Sequence, residues 1–279
     1  MMKKGVSFCS WIAFLVFGLL NASQLEAQEI GLQLYSLREQ FKTDVSGTLK
    51  MISDWGIRSI EGGDSYGMPV DDFIDLLNKN NLKVVSVGAT FEELRDNPKV
   101  VLERAKVFGA TYVMCSWIPH SRNAFGINEV QNAISVFNIA GKMLKGNGFQ
   151  LVYHPHGYEF RPYKTETLFD YMAKKALHFN FEMDVYWVQH ASEDPLKLLK
   201  KYSSKFVLMH LKDMAIGTPK DDTGHANVET NVVLGTGEVN IAALLAEAKK
   251  IGVAYLFIED ESSRVVEQVP QSLEYLKGL

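Results

Sequence analysis

From residue 29 onward, short runs of consecutive apolar or β-branched residues alternate with longer stretches whose apolar positions recur every three to four residues. The short runs are Ile30–Tyr35, Ser59–Glu61, Lys83–Val87, Tyr112–Cys115, Phe149–His154, Asn180–Asp184, Phe206–His210 and Tyr255–Glu259. Most are apolar on both faces, which predicts parallel strands covered by helices rather than half-solvated antiparallel ones. The intervening 3.6-period stretches predict helices near 45–55, 69–81, 96–108, 126–146, 163–176, 193–202, 239–251 and 265–277. Gly56, Gly109 and Gly252 each fall between a helix and the next strand, where a left-handed cap ends a helix. Eight strand–helix units close on themselves, so the expected fold is a single (β/α)8 TIM barrel. No Pro/Ser linker or low-complexity tract divides the chain, and the longest connection, residues 211–238, follows the seventh strand.

The first 27 residues break this rhythm. Met1-Met2-Lys3-Lys4 precedes an apolar run from Val6 to Leu20 and then small and polar residues. That is a secretory signal pattern, too short for a stable membrane span. Cleavage fits after Ala22 or Ala27, better after Ala27, leaving a barrel domain over 28–279 and a periplasmic or secreted product. Cys9 leaves with the leader, so Cys115 is alone, no intrachain disulfide can form, and Cys115 reads as a small buried hydrophobe. Stability then rests on the core that about 250 residues can bury.

Of the 279 residues, 47% are hydrophobic and 22% charged, which excludes a disordered chain. The formal net charge is −4, and loss of Lys3, Lys4 and Glu26 with the leader leaves 27 basic against 32 acidic residues, a net −5. No basic patch exists to hold a polyanion, so neither a nucleic-acid partner nor, after cleavage, a membrane partner is expected. Apolar barrel helices leave a homodimer open.

In a TIM barrel the chemistry lies at the C-terminal ends of the strands. Strand five ends in His154, strand six in Asp184, strand seven in His210 and strand eight in Glu259. Two imidazoles and two carboxylates on four successive strand ends predict one divalent ion: Mn²⁺, Co²⁺ or Zn²⁺ ahead of Mg²⁺.

The segments Tyr153–Phe160, Met183–Trp187, His210–Met214 and Ile258–Glu261, with Gly31–Arg38 and the Gly235–Glu238 turn, resemble the xylose-isomerase-like sugar phosphate isomerase/epimerase family over essentially the whole mature chain. The resemblance implies a metal site on strands five to eight, matched by Asp184, His210 and Glu259. His154 stands where the wider superfamily more often has Glu, which leaves His156 or Glu159 as alternative fourth ligands. Gly88 stands where related sequences often carry His.

Sugar isomerisation removes a proton beside a carbonyl, with a metal holding the enediolate charge. Glu159 is the first base candidate, against a surface pair with Arg161. His190 is the second, against a plain loop histidine, and Lys212 is an oxyanion donor, against a salt bridge to Asp213. Glu61 and His156 are candidate substrate contacts, and the rings of Tyr35, Trp117, Tyr158 and Trp187 can stack on a sugar. His178 belongs to the opposite end of the barrel, and His120 and His225 receive no role. Gly235-x-Gly237 reads as a turn rather than a phosphate loop. The expected activity is isomerisation or epimerisation of an unphosphorylated sugar. The alternatives are a lyase or hydratase on 3-keto-glycosides and a non-catalytic carbohydrate-binding barrel; endonuclease chemistry fails on charge and export.

Overall fold

A computed structural model describes residues 28–121 and 124–279, and the expected leader, residues 1–27, lies outside the described residues. Eight parallel strands form a closed barrel: β1 (Glu29–Gln33), β2 (Ser59–Glu61), β3 (Lys83–Gly88), β4 (Tyr112–Cys115), β5 (Gln150–Tyr153), β6 (Phe179–Asp184), β7 (Phe206–Leu211) and β8 (Tyr255–Ile258), with β1 pairing to both β2 and β8. The helices that follow them in turn are α1 (Val45–Asp54), α2 (Val70–Lys79), α3 (Pro98–Phe108), α4 (Ile127–Gly146), α5 (Leu168–Lys175), α6 (Pro195–Lys201), α7 (Ile241–Ile251) and α8 (Val265–Lys277). The TIM barrel expected from the apolar pattern is therefore the fold. Among the described residues, no helix is long and apolar enough to cross a membrane.

Strand side chains alternate between two environments, as a pleat requires. On β8, Leu256 and Ile258 join the large core between barrel and helices, whereas Phe257 packs with Val85, Met114, Val152 and Leu208 in a separate interior cluster. Gly31 makes room for this layer: a Cβ there would sit 2.6 Å from both the Phe257 ring and the Ser59 carbonyl. The same parity carries past the interior layer to the C-terminal rim. Two residues beyond Leu208 comes His210, and two beyond Phe257 comes Glu259, so the polar rim is the continuation of the interior stripe.

Gly109 and Gly252 end α3 and α7 in left-handed conformation, φ 62° and 83°, as their spacing predicts. The helix expected over 163–176 begins only at Leu168, because Pro162–Tyr163 pairs with Glu166–Thr167 in a short ribbon, and Thr167 and Asp170 then form a capping box. Pro98 starts α3 as a new helix after the separate helix Phe91–Asp96. Pro195 similarly starts α6, and a further helix, Val185–His190, follows β6 directly. The long β7–α7 connection is not irregular: Asp213–Met214 pairs with Asn231–Val232.

Candidate metal centre

The strand ends meet as the parity argument demands. One ligand atom each from His154, Asp184, His210 and Glu259 lies within 4.8 Å of the others, and all four residues are buried. His154 Nε2 is 3.3 Å from Asp184 Oδ2, and His210 Nδ1 is 3.9 Å from that oxygen and 3.2 Å from Glu259 Oε2. Asp184 caps the Val185–His190 helix: Oδ1 accepts from the Tyr186 and Trp187 amides at 2.8 and 3.0 Å, which turns Oδ2 toward the centre. His210 Nδ1 has no aligned hydrogen-bond partner despite its neighbours. A buried nitrogen left without a hydrogen bond, aimed with two carboxylate oxygens and a second imidazole at one point, fits a divalent ion of the nitrogen–oxygen class.

The charges agree. Burial pushes Asp184 up to about 6, and burial together with the charge of His210 pushes His154 down to about 3. Burial alone would lower His210 and raise Glu259. Instead the carboxylates of Glu182 and Glu259 hold His210 well above the usual imidazole range, while Lys212 and His210 hold Glu259 well below that of a carboxylate. The ring of His154 is thus neutral and Glu259 anionic, the forms in which each could hold a cation.

Beneath the centre lies a second polar layer. Glu61 Oε1 accepts from Gln33 Nε2 at 2.7 Å and lies 2.7 Å from His210 Nε2, with Glu182 Oε1 3.2 Å from the same nitrogen. Glu182 went unread in the sequence, although it stands two residues before Asp184 and so on the same interior stripe. Gln33, paired in register with Glu61, was missed for the same reason.

Above the centre opens a cavity of about 810 Å³. Tyr35, Glu61, His156, Trp187 and Lys212 line it. The Lys212 ammonium sits 3.4 Å from Glu259 Oε2, bonds to Glu261, and lies 5.4 Å from the ring centres of both Tyr186 and Trp187. Those carboxylates raise its pKa despite burial, so it is a fixed cation. It does not pair with Asp213, which accepts instead from the amides of Met214, Gly235, Gly237 and Val239 at 2.8–3.0 Å. Gly235-x-Gly237 is accordingly a turn anchored on a carboxylate, with its amides already used.

Three expectations are corrected. Glu159 is fully buried below the wall: Oε2 accepts the His156 and Gly157 amides at 3.0 Å and Oε1 accepts from the Tyr153 hydroxyl. It shapes the His154–Gly157 turn and meets neither the cavity nor, as a surface pair, Arg161, which reaches the Phe125 carbonyl and Asp222. Of the candidate fourth ligands, His154 stands with Asp184, His210 and Glu259, and Glu159 does not. His190 stacks on Tyr186 with Nδ1 3.0 Å from the Asp221 carbonyl, behind the wall rather than on it. Trp117 stacks on His120 with ring centres 4.3 Å apart, and Tyr158 is buried beside them, neither of them facing the cavity. In the opposite sense His225, assigned no role, stands on the cavity wall, carried there by the β7–α7 connection.

The model of the xylose isomerase-like TIM barrel family matches residues 49–279. The chain belongs to that family. Among solved structures of this xylose isomerase-like fold, a sugar phosphate isomerase/epimerase of Parabacteroides distasonis ATCC 8503 superposes with a TM-score of 0.74 at 20% identity, covering 90% of this chain and 93% of that one. A probable 3-DHS dehydratase of Bacillus anthracis gives 0.69 at 12%, covering 90% and 99%, and the IolI protein with a bound zinc atom gives 0.70 at 15%, covering 90% and 97%. Among curated proteins none matches the sequence significantly.

Proposed function

We propose that this protein is a divalent-metal-dependent isomerase or epimerase of an unphosphorylated sugar, acting through an enediolate. The observation that carries the reading is the convergence of His154, Asp184, His210 and Glu259 beneath a polar, aromatic-walled cavity at the C-terminal end of the barrel. Similarly folded proteins include a sugar phosphate isomerase/epimerase, a probable dehydratase and one with a bound zinc atom, which supports this reading. The ion bound there would act as a Lewis acid on two vicinal substrate oxygens.

The chain's own groups supply the rest. Lys212 Nζ, a fixed cation in a largely dry wall, donates to the oxygen on which negative charge develops. His156 is the group placed to take the proton: it lines the cavity, its ring centre is 4.5 Å from that of His154, and its Nδ1 has no hydrogen-bond partner. Tyr35 and Trp187 flank the sugar, and His225 closes the mouth. The anchored Gly235-x-Gly237 turn, offering no amides to a phosphate, supports an unphosphorylated substrate. So does the leader-like sequence of residues 1–27, which points to action in the periplasm or beyond.

A lyase acting on 3-keto-glycosides is the second reading, favoured by a cavity volume that leaves room beyond a single sugar ring. Incubation of the metal-loaded protein with keto-sugars and keto-glycosides in D2O tests both. Deuterium at the carbon beside the carbonyl is expected, with Lys212→Met and His156→Phe reducing exchange about 100-fold or more. A product that differs from the substrate only by the exchanged deuterium supports isomerisation, and a released aglycone supports the lyase. No exchange with any carbonyl sugar contradicts both.

A further inference from the structure

Below the four-ligand centre, two carboxylates converge on the back of one of its ligands. Glu61 and Glu182 are fully buried, and His210, also buried, presents Nε2 to both: 2.7 Å to Glu61 Oε1 and 3.2 Å to Glu182 Oε1. Gln33 Nε2 donates to the same Glu61 oxygen at 2.7 Å, fixing its carboxylate plane. Among the described residues, the ion pair of Glu182 is with His210, and neither of its oxygens has an aligned hydrogen bond. Placing two carboxylates in the dry interior of a barrel is expensive, and well-packed apolar side chains would fill that layer at no such cost. Their placement is explained by the imidazole between them.

An imidazole that takes a metal ion gives up its second proton, leaving one N–H and one lone pair. Glu61 Oε1, which already accepts from Gln33, faces Nε2 at 2.7 Å as an acceptor, so the hydrogen sits on Nε2 and the lone pair is left on Nδ1. That nitrogen is the one 3.2 Å from Glu259 Oε2 and 3.9 Å from Asp184 Oδ2, without a hydrogen bond of its own. We propose that Glu61 and Glu182 are positioning residues that hold His210 in its Nε2–H form and aim Nδ1 into the metal centre, with Gln33 holding Glu61 in place. Glu61 thereby does more than line the substrate cavity: it reaches the ion through His210. The inference rests on the metal reading given above.

The test is metal affinity and His210 tautomer, neither of which needs a substrate. Zn²⁺ affinity is measured by competition with a chelator for wild type, Glu61→Gln, Glu61→Leu, Glu182→Gln and Glu182→Leu. Loss of about 100-fold is expected for the Leu variants and about 10-fold for the Gln variants, whose amide carbonyl still accepts from Nε2. Melting temperatures without metal should stay level or rise, since a buried carboxylate is removed; a merely structural role would lower them and leave affinity alone. NMR of the 15N-histidine-labelled Zn²⁺ protein should show His210 bonded through Nδ1 with a protected Nε2–H. If the Leu variants misfold, the isosteric Gln variants and the tautomer decide. Unchanged affinity in the variants, ligation through Nε2, or a second zinc equivalent lost with these glutamates would overturn the proposal. A wild type that takes up no Zn²⁺ would overturn the metal reading itself, and this inference with it.

Discussion

Glu159 shows how one residue near a site can be essential to its shape without touching the substrate. Its carboxylate gathers the His156 and Gly157 amides and the Tyr153 hydroxyl, and burial lifts its pKa to about 7. The folded protein therefore holds a proton on Glu159 that the unfolded chain, near 4.5, releases. This group's contribution to stability is full below about 4.5 and is lost as pH rises through about 7. Glu159→Gln keeps the acceptor for the two amides and replaces the ionising oxygen by a donor to Tyr153. Thermal unfolding followed from pH 4.5 to 8 should show wild type losing on the order of 2 kcal/mol that the variant keeps, with Zn²⁺ affinity the same in both. A parallel decline in the two proteins would contradict the assignment of that proton to Glu159.

At the scale of elements, the β7–α7 connection is organised by Asp213. One carboxylate accepts the adjacent Met214 amide and three amides of a turn 22 to 26 residues downstream, and the ribbon Asp213–Met214 with Asn231–Val232 closes the base of the loop. Asp213→Ala leaves those amides without their acceptor and frees the segment that brings His225 to the cavity. Limited proteolysis should then cut within 215–230 at least 10-fold faster than in wild type, a local opening of about 1.4 kcal/mol or more, while the barrel stays folded. Equal cleavage rates would show that the ribbon alone holds the loop.

The strand–helix order and the four residues of the candidate centre were legible in the sequence, because parallel strands write themselves as apolar runs and each of the four sits where such a run stops. Parity within the strands was the signal left unused. Gln33, Glu182, His156 and Lys212 each stand two residues from another interior position, and Glu159 and His190, lying on turns and helices after the strands, have no such relation. Proximity in sequence to a ligand suggested them as bases, but the turn after β5 and the helix after β6 bury them behind the wall. His225 could not be read at all, since a loop position carries no period and its place depends on the Asp213 anchor.

Over the whole molecule, the barrel brings five acidic side chains, Glu61, Glu182, Asp184, Glu259 and Glu261, around His210 and Lys212 at one end of its axis. Such a gathering of acidic side chains, four of them buried, is the electrostatic complement of a divalent cation, and the account stands or falls on that ion. The most direct measurement is elemental analysis of the purified protein after Mn²⁺, Co²⁺ or Zn²⁺ loading and desalting, beside Asp184→Ala and Glu259→Ala shown to be folded by circular dichroism. The account predicts one equivalent of metal in wild type and less than a tenth of that in either variant. Wild type without metal, or variants that keep it, would contradict it.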